Sequence, residues 1–166
     1  MARQTGGVVW IHSTPGPLCP HVEWALQDAL DSRDGLDWTP QPQETAAYRA
    51  ERPWWGPVGT AARVVSALLR LPGLRFEVTE DPTDLSEGRR YSHTPELGLF
   101  QAPTTPAGDL MVTEQELRLV LGRWAERPER LAAELRQLLG DDWDDELEPF
   151  RSGDPAAPTR WLRQVV

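Results

Sequence analysis

The chain has 166 residues, 39% of them apolar and eight of them tryptophan, and a formal net charge of −9. That is enough apolar material for a packed core in a single domain over residues 1–166, and it excludes global disorder. The acidic balance argues against general nucleic-acid or anionic-membrane binding, and a lone cysteine excludes an intrachain disulfide framework.

Gly7 to Ser13 is apolar and β-branched and reads as a buried strand. From Pro20 onward Val22, Ala25, Leu26, Ala29 and Leu30 repeat at helical spacing, and Pro20 suits a first helical turn, where a missing N–H loses no bond. Leu36 to Thr39 is a second strand closed by Pro40 and Pro42, and Ala46 to Trp54 is a third. The run Pro53-Trp54-Trp55-Gly56-Pro57 is expected to break that strand. Ala61, Val64, Val65, Leu68 and Leu69 mark a second amphipathic helix, stopped by Pro72-Gly73. In the fourth strand Leu74, Phe76 and Val78 alternate with Arg75, Glu77 and Thr79.

The order β-α-β-β-α-β over residues 6–80 is that of a ferredoxin-like core. Residues 81–112 add a β-meander: a polar loop from Glu80 to Gly88, then strands over Arg89–Thr94 and Leu97–Ala102 around a Pro95-Glu96 turn. Residues 113–166 hold C-terminal helices, an acidic segment and a tail. Thr113 to Glu116 is a capping box, Pro128 opens a further helix and Gly140 closes it. Asp141 to Glu148 carries six acids in eight residues, with Trp143 and Leu147 expected to point inward from a solvated face. Trp161 to Val166 reads as a last strand or a docked tail. The fold class is therefore α+β.

No apolar run reaches the ~18–20 residues that span a bilayer, and the N-terminal residues lack the apolar region of a signal peptide. A cytoplasmic protein with no membrane partner and no nucleic-acid partner is expected. There is no lysine, and all 17 basic residues are arginine, a pattern that a GC-rich genome accounts for.

Several stretches carry a family pattern: His12-Ser13 with Leu18 to Trp24, Leu36 to Pro42, Tyr48 to Glu51, Arg75 to Glu80, Trp143 to Arg151, and Arg160-Trp161-Leu162. On these residues the chain resembles DUF3145, an actinobacterial family of proteins of unknown function, over essentially its whole length. The resemblance implies no activity and no catalytic residues. It implies a genomic setting near type II fatty-acid synthesis genes, which is context and not mechanism.

The candidate chemistry centres on the turn from the first strand into the first helix. Cys19-Pro20-His21 stands where backbone N–H groups favour a thiolate or an anion, and His21, His12 or His93 could serve as base. The plain alternative is a Cys19 that packs as a small apolar residue. His12, Cys19, His21 and His93 are every histidine and cysteine in the chain, so they are also the candidates for a metal site, although no ligand-pair spacing sets its geometry. Among the acids, Glu23, Asp37, Glu51, Glu77, Glu80 and Asp81 read as solvated or salt-bridged rather than as a catalytic pair, because spacing gives no proximity. Glu77 falls on the sheet face opposite Val78, a face either exposed or covered by the C-terminal half.

The tryptophans within regular elements, Trp10, Trp24, Trp38, Trp124 and Trp161, are expected in or near the core. The Trp54-Trp55 pair is either core or a partner surface. Gly56 to Thr60 lacks a following lysine and fails as a P-loop, while still able to offer N–H groups to a small anion. The functional expectation is a non-enzymatic binding or regulatory protein, without a cofactor, that recognises a small molecule or a protein partner and pairs as a homodimer through sheet faces or edges. The ligand candidates are His12, Cys19, His21, Trp24, Trp38, Tyr91 and His93. The alternatives are a thiol enzyme using Cys19 and His21, with acyl transfer in fatty-acid metabolism as its chemistry, and a metal-binding protein.

Overall fold

A computed structural model describes residues 3–151. Six strands form one sheet: β1 (Gln4–Pro15), β2 (Thr39–Pro40), β3 (Ala47–Pro57), β4 (Arg75–Glu80), β5 (Gly88–Thr94) and β6 (Gly98–Thr104). Their spatial order is β2-β3-β1-β4-β5-β6. Every adjacent pair is antiparallel. β1 is central, as its apolar run requires, with β3 on one side and β4 on the other.

Two helices cross between strands, α1 (Cys19–Leu30) after β1 and α2 (Thr60–Leu68) after β3. They pack on each other and on the sheet. Their stripes, Val22, Leu26 and Ala29 from α1 with Ala61, Val64, Val65 and Leu68 from α2, meet Val9, Ile11, Phe76, Val78 and Tyr91 in the main core. Gly7 admits the closest approach here, since a Cβ would lie 2.0 Å from the Thr79 carbonyl oxygen and 2.6 Å from the Trp54 ring.

The C-terminal part forms three helices, α3 (Glu114–Trp124), α4 (Pro128–Leu139) and α5 (Asp141–Arg151). The Thr113–Glu116 capping box opens α3 as the sequence predicts, each side chain bonding the other's backbone N–H. Gly140 turns α4 into α5 with φ of +74°, and a Cβ there would lie 2.7 Å from the Phe100 ring. α5 lies on the sheet face opposite α1 and α2: Leu147 is fully buried, and Trp143 donates its indole N–H to the Gly98 carbonyl at 2.9 Å.

The structure corrects several sequence expectations. β3 runs on through Pro53-Trp54-Trp55-Gly56-Pro57 and pairs with Gln4 to Val8. A proline is tolerated there because β2 pairs with β3 only at Tyr48 and Arg49, leaving the Pro53 stretch as a sheet edge. The second strand shrinks to Thr39–Pro40. Trp54 and Trp55 point to opposite faces as neighbours on a strand must, so Trp54 is buried and Trp55 is 72% exposed. Trp24 is 61% exposed, because it projects from the side of α1 away from Val22, Leu26 and Ala29. The expected Trp161–Val166 strand or tail lies outside the described residues.

Candidate functional site

The alternation along β4 sends Glu77 to the α5 side of the sheet, where it is 1% exposed. A carboxylate without partners would be too costly to ionise there. Four residues from three elements supply donors. Oε1 accepts from Arg151 Nη2 at 2.7 Å, Arg90 Nη2 at 3.0 Å and the Ser92 hydroxyl at 3.1 Å. Oε2 accepts from His12 Nε2 at 2.7 Å and Arg151 Nε at 2.9 Å. His12 comes from β1, Arg90 and Ser92 from β5, and Arg151 from α5.

α5 reaches this cluster because Asp144, Leu147, Glu148 and Arg151 recur at i, i+3, i+4 and i+7, which places them on one side of the helix. Leu147 fills the core while Asp144 accepts from both Arg151, at 2.5 Å, and Arg90. Glu148 accepts from Arg151 Nη1 at 3.1 Å. Gln41 ties the end of the helix to the sheet, donating to the His12 and Phe150 carbonyls at 2.5 and 3.1 Å.

Burial by itself would push the Glu77 pKa up, but the bonds and charges of His12 and Arg151 outweigh it and hold the carboxyl well below its usual range. Burial likewise works against the Arg151 charge, and Glu77 and Asp144 more than reverse that, raising its pKa. Both Glu77 oxygens are fully engaged, so the group neither gives nor takes a proton near neutrality. The cluster is a fixed electrostatic floor and not an acid–base pair.

Beside it, over the β1–β3 half of the same face, Val8, Trp10, Arg49, Glu51 and Arg151 line a cavity of about 460 Å³. That volume lies within the range of small-molecule sites, about 300–1,000 Å³. Arg49 donates through Nη2 to the Arg151 carbonyl at 3.3 Å, while its Nη1, buried, has no hydrogen-bond acceptor among the described residues.

A family model described as "Protein of unknown function (DUF3145)" matches residues 8–164. The chain belongs to the DUF3145 family. Neither the curated proteins nor the solved structures give a match.

In this DUF3145 chain the residues predicted from sequence do not converge. His12 is buried at 2% exposure in the Glu77 cluster. His93 lies on the other face, stacked on Phe76 at 4.9 Å between ring centroids, with Nδ1 2.9 Å from the Leu74 carbonyl oxygen. Burial lowers the His93 pKa, outweighing that bond. Tyr91 is a core residue of the helix side. His21 is exposed at the start of α1, its ring edge-on to Trp24 at 5.2 Å. The Cys19 thiol is pushed up by burial and further by the Glu23 charge, and among the described residues no histidine is hydrogen-bonded to it. Among the described residues no three of His, Cys, Asp and Glu converge on a position that could hold a metal ion.

Two further acids are engaged within the fold. Glu23 accepts from the Trp38 indole at 2.8 Å and the Leu36 N–H at 3.2 Å, pinning the loop after α1. Glu80 takes the N–H groups of Gly59 and Ala61 at 2.9 Å each. The N–H groups at the start of α2, which the turn could have offered to a small anion, are thus engaged by the protein's own Glu80 carboxylate. Asp37 and Glu51 are exposed. The residues missed by sequence reasoning are Arg49, Arg90, Asp144 and Arg151. For Asp144 and Arg151 the signal is the i, i+3, i+4, i+7 recurrence in α5, which aligns charged residues with the apolar Leu147; Arg49 and Arg90, on β3 and β5, carry no such signal.

Among the described residues no helix is long and apolar enough to cross a membrane.

Proposed function

We propose that the protein is a non-enzymatic binding protein, regulatory in role, whose ligand site is the cavity bounded by Val8, Trp10, Arg49, Glu51 and Arg151. The observation that carries this reading is Arg49, half-buried at the cavity wall with one guanidinium nitrogen lacking an acceptor among the described residues. A buried donor left unmet costs about 1–3 kcal/mol, so an acceptor that fills the cavity gains that amount over water-exposed surface. The chemistry favours a small carboxylic acid: its carboxylate meets Arg49, its apolar body lies along Val8 and Trp10, and a hydroxyl or amine meets Glu51. Arg151 is held in place by Glu77, Asp144 and Glu148, so this wall of the site is preorganised before a ligand arrives.

The order β2-β3-β1-β4, with α1 and α2 on one face, supports a ferredoxin-like reading of residues 6–80, a scaffold often used for ligand sensing, by analogy alone. It leaves the opposite face for the binding site.

The test is a thermal-shift screen of small carboxylic acids on the wild-type chain and on Arg49→Met, which keeps the side-chain stem. The reading expects at least one acid to raise the wild-type Tm in a saturable way and to leave Arg49→Met unmoved. An equal rise in both proteins, or no rise with any acid of the panel, overturns it.

A further inference from the structure

We infer that residues 160–166 of this chain dock on the β1–β3 half of the sheet face opposite α1 and α2, setting Trp161 against Val8, Pro53 and Trp55. α5, the helix on this face, makes its contacts with the β4–β6 half: Trp143 packs on Phe100, Asp144 meets Arg90 and Glu146 meets Thr94. On the other half, Gly6 and Val8 of β1 stand beside Trp55 and Pro53 of β3. Trp55 is 72% exposed, Pro53 is exposed and Val8 is half-buried. The Trp55 ring lies against Gly6, where a Cβ would come within 3.1 Å of it, so its neighbour on β1 has no side chain to cover it.

The path of the chain identifies the occupant. Arg151, the last residue described, lines the cavity with Val8, Arg49 and Glu51, and its carbonyl accepts from Arg49 of β3. Ser152 therefore begins on this face, beside β3. The eight residues 152–159 span up to about 26 Å when extended. The strand from Arg49 to Trp55 takes about 20 Å, so Arg160 and Trp161 reach its far end. The family match runs to residue 164, which puts this segment inside the domain that the family model describes.

Composition agrees with the path. Residues 160–166 hold four apolar side chains, Trp161, Leu162, Val165 and Val166, and two arginines without an acid, in a chain of net charge −9. Glu51, exposed on β3 and on the same face as Trp55, is the acid within reach of those arginines. The tether also decides between occupants. A short linker presents its segment at an effective concentration in the millimolar range, which a second copy or a separate protein at micromolar levels does not match. The segment covers the Val8 side of the cavity and leaves the Arg49 end open, so its docking does not rest on a small acid binding there.

Fluorine NMR of the full chain, with fluorotryptophan at all eight tryptophans, tests this in the absence of any ligand. Trp55→Phe and Trp161→Phe each identify one resonance by its disappearance. An exposed fluorine changes its shift between light and heavy water, and a covered one does not. The expected result is no isotope shift at Trp161 in the wild type and its return in Trp55→Ser. Reciprocally, Trp161→Ser should displace the Trp55 resonance and leave that of Trp24, on α1 across the sheet, in place. If Trp55→Ser misfolds, seen as a displaced Trp143 resonance, Trp161→Ser carries the test by itself. Arg49→Met should leave Trp161 covered, which separates this result from that of the acid screen. A full isotope shift at Trp161 in the wild type overturns the inference, as does a covered Trp161 indifferent to Trp55→Ser. So does a Trp161 that becomes covered only as protein concentration rises, the mark of a second copy.

Discussion

Arg151 grips both oxygens of Glu77 with its planar fork, Nε 2.9 Å from Oε2 and Nη2 2.7 Å from Oε1. This bidentate pair joins the last turn of α5 to the fourth strand, 74 residues earlier in the chain. Everything between them is closed into one structure by that contact and by the Asp144 bonds beside it.

Removing one side of the pair leaves the other charge buried without compensation. Glu77→Gln is expected to cost about 3–5 kcal/mol, because His12, Arg90 and Arg151 all lose a charged acceptor at a site 1% exposed. Urea denaturation of the variant measures this. In a double-mutant cycle with Arg151→Met, the two changes together should cost less than their sum, by about 0.5–3 kcal/mol. Additive costs would show that the two side chains are not coupled.

The same carboxyl gives stability a pH signature. Its folded pKa lies below the ordinary value of 4.5, so between the two values the unfolded chain binds more protons than the folded one. Stability from this group is therefore complete above the ordinary value and declines as pH falls through the folded one. Urea midpoints should hold from neutrality to about pH 5 and drop below about pH 4, with a smaller drop in Glu77→Gln. An equal acid drop in both proteins would assign it to other carboxylates.

Cys19 should behave as an ordinary or sluggish thiol. Burial and the Glu23 charge raise its pKa, so the thiolate is scarce at pH 7 and the alkylation rate should climb steadily with pH through the alkaline range without levelling off below the ordinary thiol value. Rapid alkylation by iodoacetamide near pH 6 would show an activated nucleophile and revive the thiol-enzyme reading.

Gly140→Ala is expected to destabilise by about 2–4 kcal/mol, combining the left-handed conformation with the clash against Phe100. Thermal denaturation checks it, and a Tm equal to wild type would mean that the α4–α5 corner can shift without cost.

Much of the fold could be read from local pattern. The stripes of α1 and α2, the Thr113–Glu116 box and the Gly140 stop are short-range signals, and each is where the sequence puts it. The β3 extension escaped because Pro53 reads as a breaker unless the strand is known to lie at an edge, which only the sheet order reveals. The site escaped for a related reason. Glu77 looks like any alternating surface acid, and its partners stand 13, 15, 65 and 74 residues away, so no spacing announces them. The sequence reading allowed for a C-terminal cover over that face but did not identify the acidic segment as the covering helix. Its acids suggested solvent, whereas half of that helix's charge is turned inward against arginine.

The prolines of the β2–β3 border have a consequence for the protein in crowded solution. The Val8 N–H turns towards β4, donating to the Thr79 hydroxyl at 3.2 Å, so the facing Pro53 presents its ring nitrogen outward, with Pro57 four residues on and Pro40 on the short neighbouring strand. A passing extended peptide finds gaps where it needs a continuous row of donors. This border of the sheet is therefore a poor template for a further strand, and any strand added to the sheet is left to the opposite border, at β6.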